Sequence, residues 1–175
     1  KVRCALNHQN AGSIPVDFGS TAVTGIHCRI VEALRNYYGL APRPVKIVDA
    51  FQMLGEIDAE LAEKIGVDCI GIGGPKDIFD LDTTRMHEQT TPWGQRVLVP
   101  EAMDLTPDMR GDVYVYAGGD QNYPPSAVMP KGCYFTNAIE RQQPIEEDRL
   151  DPEDNVEEFG LLTENDLAYY CARSE

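Results

Sequence analysis

From Ser13 to Pro75 the chain alternates strand-length and helix-length segments, and this alternation constrains the fold more than any other feature. "IPVDF" reads as a short buried strand, with Pro15 tolerable near its start. A helix is predicted over about Gly25 to Tyr38, where Ile26, Ile30, Ala33, Leu34 and Tyr37 keep helical spacing and Gly39 supplies the stop. "APRP" is a rigid linker into the strand-like "VKIVDA". "FQMLGEIDAELAEKIG" follows as an amphipathic helix closed by Gly66, and "VDCIGIGG" as a buried strand ending on a glycine pair and Pro75. Strands separated by helix-length crossovers are the signature of right-handed βαβ units and a parallel sheet.

The flanking regions read differently. A short helix is predicted over about Lys1 to Gln9. The stretch from Glu88 to Ile139 is rich in Gly, Pro, Val and Tyr, and "QRVLV" and "DVYVYA" within it read as antiparallel strands joined by turns. Residues 81–139 are thus expected to form a β-rich excursion, residues 1–80 the first βα units, residues 140–162 an acidic connector, and residues 163–175 the start of a helix, all in a single partial domain. Thr163 and Asp166 form a capping-box pattern at that last helix. The helix begins close to the end of the sequence and Lys1 is not a methionine, so the chain is expected to be a piece of something longer.

The formal net charge of −14 over 175 residues excludes a nucleic-acid partner, because phosphate recognition needs Lys/Arg clusters that are absent. Half of that charge lies between Glu140 and Glu158, where nine acidic residues face only Arg141 and Arg149; a solvated connector is the expectation, a docking surface for a basic partner the alternative. No run approaches the length of a membrane span and no signal peptide is evident, so a soluble, cytoplasmic protein is expected. Cys4, Cys28, Cys69, Cys133 and Cys171 are dispersed without CxxC spacing, which predicts free thiols rather than a disulfide framework or a zinc site.

Taken in order, "ALNHQNAGSIPVDFGSTAVTGIH", "FQMLGEIDAELAEKIGVDCIGI", "TPWG" and "MPKGCYF" resemble the N-terminal half of the uroporphyrinogen decarboxylase superfamily, over nearly the whole chain. That superfamily includes porphyrinogen decarboxylases and methylcobamide-dependent methyltransferases. The resemblance implies an α/β fold, the N-terminal half of a (β/α)8 TIM-type barrel carrying the β-rich insertion. In such a barrel the site lies at the C-terminal ends of the strands, which puts Asp17, Gly19, Ser20, Thr21, Thr24, His27, Gly73 and Gly74 forward as substrate-binding candidates. Small residues there let backbone N–H groups and hydroxyls face a ligand directly.

Two departures bear on the activity. Decarboxylases of the family carry an arginine-rich stretch after the first strand, whereas this chain reads "DFGSTAVTG", with no arginine until Arg29. A polyanionic porphyrinogen finds no cation there and is repelled by Asp17. Their second strand ends on a Ser-Asp pair, where this chain reads "GIGGP" and the nearest acid is Asp77. The methyltransferase branch is therefore the better fit. It implies a corrinoid protein as methyl donor and partner, and a thiol as acceptor. It also implies a zinc site whose ligands are expected in a C-terminal half beyond this segment, none within it. Porphyrinogen decarboxylation and a non-catalytic small-molecule-binding barrel are the alternatives.

Single residues carry two readings each. Asp17 either orients a ligand or accepts N–H groups of its own loop; Ser20, Thr21 and Thr24 are ligand contacts or loop and cap residues. His27 is a polar site candidate or a satisfied structural group. His8 is expected to be structural and nothing positions His87. "GIGGP" lacks the spacing of a phosphate loop. Trp93, Tyr134 and Phe135 either wall an apolar pocket or pack as core.

Overall fold

A computed structural model of the protein describes residues 1–141 and 162–174. Most of the acidic connector, residues 142–161, lies outside the described residues. Helix α1 spans Val2–Leu6, α2 Cys28–Tyr37, α3 Ala59–Ile65 and α4 Glu164–Ser174. The strands are β1 Val45–Asp49, β2 Leu54–Gly55, β3 Met86–Thr90, β4 Arg96–Pro100, β5 Val113–Val115, β6 Ala127–Met129 and β7 Asn137–Ala138. They form two small sheets, ordered β2-β1-β4-β3 and β5-β6-β7.

This architecture overturns the half-barrel. Among the described residues only β1 and β4 pair in parallel, and every other strand pair is antiparallel. The β-rich region joins the sheet of the preceding α/β segment through β4, whose Val97 and Val99 are buried beside Val45 and Ile47 of β1. "IPVDF" and "VDCIGIGG" form no strand. The two segments touch at one point, where Asp68 N–H donates to the Val16 carbonyl (2.8 Å) and Val16 N–H to Asp68 Oδ2 (3.0 Å). A β-branched run becomes a strand only where a neighbour completes its ladder. Here none does, and Ile14 and Ile70 remain about as exposed as side chains become, at 84% and 85%.

The helices follow local rules more closely. Cys28, Val31 and Arg35 share one face of α2 and are all buried. His27 caps its start, Nδ1 accepting from Arg29 N–H, and Gly39 leaves it at φ +68. The segment predicted as one helix over 51–66 splits. Met53 adopts φ +52 and turns the chain into β2, so that only Ala59–Ile65 is helical. Asp58 caps α3 by accepting the Leu61 N–H (3.1 Å), and Gly66 closes it at φ +83. At α4 the capping box forms as its pattern predicts: Asp166 Oδ2 accepts from Thr163 N–H (2.9 Å), and Thr163 Oγ1 accepts from Asp166 N–H (3.2 Å).

Arg35 ties these pieces together. It is 3% exposed, and its guanidinium donates to Asp58, to Glu60 (3.0 Å) and to the Ala41 carbonyl (2.9 Å). Arg43 reaches the same Asp58 carboxylate at 2.7 Å. Burial alone would raise the Asp58 carboxyl, but the Leu61 N–H and the two guanidinium groups hold it below the ordinary aspartate range. Asp58→Ala removes the cap of α3 and strands a buried cation, so urea unfolding is expected to show a loss of about 3–5 kcal/mol. Because the folded pKa is the lower one, this stabilisation is present above about pH 4 and lost as pH falls through the folded value. The difference between wild type and Asp58→Asn in acid unfolding should therefore narrow at low pH.

Candidate functional site

A cavity of about 580 Å³ opens between the loop after "IPVDF" and the loop from Cys69 to Gly74. Its other walls come from β1, the β2–α3 connection and α4. Gly19, Ser20, Thr21, Gly73 and Gly74 line it together, brought from two loops about fifty residues apart in the chain.

Glycine makes this meeting possible. A Cβ on Gly71 would stand 1.7 Å from the Ser20 carbonyl oxygen, which is backbone and cannot yield. Gly19 sits at φ +89 with a Cβ position only 2.3 Å from Ile57 Cγ1. The small residues of "DFGSTAVTG" thus let one loop pack against its neighbours. A Cβ on Gly74 would lie 2.9 Å from the Tyr170 hydroxyl, where α4 approaches the rim.

Asp17, Thr24 and His27 do not line this cleft. Asp17 Oδ1 accepts from Ser20 N–H and from Thr24 Oγ1, both at 3.3 Å, and Thr21 and Thr24 exchange hydroxyl and N–H contacts. These three residues hold the loop in shape. His27 stands elsewhere, in an aromatic group with Trp93, Tyr134 and Phe135 at centroid distances of 5.5, 6.1 and 5.2 Å. Its Nδ1 accepts from Arg29 N–H, so its Nε2–H donates to the Tyr134 carbonyl (3.0 Å) and the tautomer follows. Burial lowers its pKa, against the raising effect of that carbonyl and with the help of the Arg29 charge. His27 is therefore a neutral ring with both nitrogens engaged.

The charged residues of the cleft are Lys46, Asp49, Glu56, Asp58, Lys76, Asp77 and Arg173. Lys76 pairs with Asp80 (2.6 Å), and Lys46 faces Glu56 at 3.6 Å. Arg173 lies over the Tyr169 ring, 5.5 Å from its centroid. Asp77, named from the sequence only as the nearest acid, is the polar group that distinguishes this cleft. Its Oδ1 accepts from Phe79 N–H (2.9 Å) and Leu81 N–H (3.0 Å), while Oδ2 is buried with no partner among the described residues. Burial pushes its carboxyl up, beyond what the two N–H groups offset, and the charges of Asp49 and Asp80 push the same way. Asp-x-x-x-Leu after a glycine pair was the available signal; its burial is a tertiary property.

Among the described residues no three His, Cys, Asp or Glu side chains are grouped to hold a metal. Cys28, the most buried thiol, donates to Gln95 Oε1 (3.4 Å), and burial pushes it up to about 12. Gln95 also accepts from Trp93 Nε1 (3.0 Å) and donates to the Cys28 carbonyl (3.0 Å), a closed structural network. Burial thus keeps Cys28 a thiol rather than a nucleophilic thiolate.

Comparison with known proteins finds no matching family model, no matching curated protein and no matching solved structure.

Two outcomes are expected. With an aromatic disulfide reagent at pH 8, exposed Cys133 and Cys171 react in the folded protein and Cys28 only after denaturant is added; fast native labelling of Cys28 in peptide maps would contradict its sealed position. Gly71→Ala should cost about 1–3 kcal/mol and shift the amide resonances of Ser20 and Thr21, as overpacking against backbone requires.

Proposed function

We propose that this chain supplies the small-molecule cleft of a uroporphyrinogen decarboxylase-family methyltransferase, which moves a methyl group from a corrinoid protein to a thiol. The observation that carries the reading is the convergence of the "DFGSTA" and "CIGIGG" loops on one cavity, because these are segments on which the family resemblance rests. The pocket is bordered by hydroxyls, glycine backbone and Asp77, as suits a polar small-molecule acceptor.

Charge points the same way. The acids of the cleft outnumber its cations, and both lysines already face carboxylates. A porphyrinogen with its many carboxylates finds in such a lining only Arg173 without an ion pair among the described residues. The zinc that activates the thiol in this reading belongs to ligands other than the described residues, and the corrinoid to the partner protein. No helix among the described residues is long and apolar enough to cross a membrane, and the proposed setting is the cytoplasm.

The test uses the protein expressed from its complete reading frame, supplied with zinc, methylcob(III)alamin and 2-mercaptoethanol. Demethylation, followed by the visible spectrum, is expected at roughly tenfold or more above the protein-free rate. No demethylation, together with release of carbon dioxide from uroporphyrinogen, would replace the reading with decarboxylation. Absence of both reactions would leave a binding protein and end the enzymatic reading.

A further inference from the structure

We infer that α4 is a cover for the cleft, seated on its rim through one face and held there loosely enough to lift as a unit and open the cavity. The inference rests on the geometry of the cleft and holds whether or not the cleft serves methyl transfer.

The residues of α4 divide into two faces. Asp166, Tyr169 and Tyr170 are its half-buried residues, and with Arg173 they keep the i, i+3, i+4, i+7 spacing of a single helix face. Tyr169 and Arg173 line the cavity. The Tyr170 hydroxyl stands 2.9 Å from the Cβ position of Gly74, a glycine of the cavity wall. A helix that belongs to a core turns its apolar stripe inward. Here the order is reversed: the face toward the cleft carries a carboxylate, two phenols and a guanidinium, while Leu167 on the other side is 59% exposed. Such a face is readily solvated when it leaves the cleft.

The attachment is correspondingly slight. α2 buries Cys28, Val31 and Arg35 and α3 buries Leu61, but α4 buries no residue. Among the described residues no hydrogen bond or ion pair joins α4 to the rest of the chain. Asp166 and Lys76 attract each other without pairing, an interaction that solvent and salt screen. The polar groups of the helix are instead satisfied within it. Thr163 and Asp166 close the capping box, Leu167 N–H donates to the Thr163 carbonyl (3.0 Å), and the Ser174 hydroxyl donates to the Cys171 carbonyl (2.8 Å). The Tyr169 and Tyr170 rings meet edge to face at 5.7 Å, and Arg173 lies over Tyr169. On leaving the body α4 therefore keeps these bonds and gives up the seat of Tyr170 at Gly74. Elements with few buried contacts are those that open at the lowest free energy.

The test uses the full chain and two of its own cysteines. Nitroxide labels go on Cys133 and Cys171, both exposed, with Cys4→Ser and Cys69→Ser to keep other sites silent, and the distance distribution is read by pulsed electron paramagnetic resonance. Two populations are expected, seated and open, and Tyr170→Ala should move weight from the first to the second. Alanine is the better helix former, so the shift reports a lost seat and not a melted helix. The second readout keeps Cys69, which lines the cavity, and follows its reaction with an aromatic disulfide reagent by peptide mapping. Tyr170→Ala should speed that reaction roughly threefold or more and leave the rate at Cys133 unchanged, with Cys28 still unlabelled as proof of folding. Leu167→Gln, on the outer face, should change neither readout. A distance distribution or a Cys69 rate that Tyr170→Ala leaves unchanged would overturn the inference. So would an equal effect from Leu167→Gln. Failure of the demethylation assay would leave these results as they stand.

Discussion

A single buried cation organises the part of the molecule that carries the cleft. Arg35 lies on the inner face of α2, and its guanidinium is shared among Asp58, Glu60 and the Ala41 carbonyl. A charge removed from water is tolerated only when its hydrogen bonds are made inside. Meeting that demand draws the start of α3 and the linker into β1 against α2. Asp58 also caps α3, so the same carboxylate fixes where that helix begins. The walls that the cleft receives from β1 and from the β2–α3 connection are therefore positioned by an interaction outside it. At the N-terminal end of α2 the Gln95 network does the corresponding work, joining the β3–β4 turn to Cys28 through groups that are all satisfied.

The cleft then draws its chemistry from what close packing leaves over. Gly19 and Gly71 let two loops approach to a distance no side chain would permit, and Asp17 spends its carboxylate on its own loop. Gly19 and Gly71 line the cavity, and Asp17 holds the loop beside it. Asp77 is the counterpart: its backbone contacts use one oxygen and leave the other without a partner.

How much of this was legible depends on the range of the forces involved. Helix ends are set locally, and the stop at Gly39, the stop at Gly66 and the capping box at Thr163 and Asp166 are all as the residues suggest. The β3–β4 hairpin turns at "TPWGQ", with Gly94 at φ +85. Strand partners are not local: "IPVDF" and "VDCIGIGG" have the composition of strands and no ladder, and so the parallel pattern read from them did not form. Met53 and Gly55 turned half of a predicted helix into β2, because Gly55 is buried where a Cβ would stand 3.0 Å from Cys28 Cα. The face of α2 read from Ile26, Ile30, Ala33, Leu34 and Tyr37 is not the buried one, which carries Cys28, Val31 and Arg35 and leaves Ile30 and Tyr37 exposed. The candidate loops were put forward as places where backbone would face a ligand; that they also pack against each other at Gly71 depends on contacts across the chain.

The claim on which everything about the site depends is that the "DFGSTA" and "CIGIGG" loops meet. The direct measurement is a ¹³C-edited NOE experiment on the labelled protein, read at the α-protons of Gly71. Strong cross-peaks to Ser20 are required by a Gly71 whose Cβ position is 1.7 Å from the Ser20 carbonyl oxygen. Cross-peaks from Gly71 to its sequence neighbours alone would mean that the two loops stand apart and that no shared cleft exists.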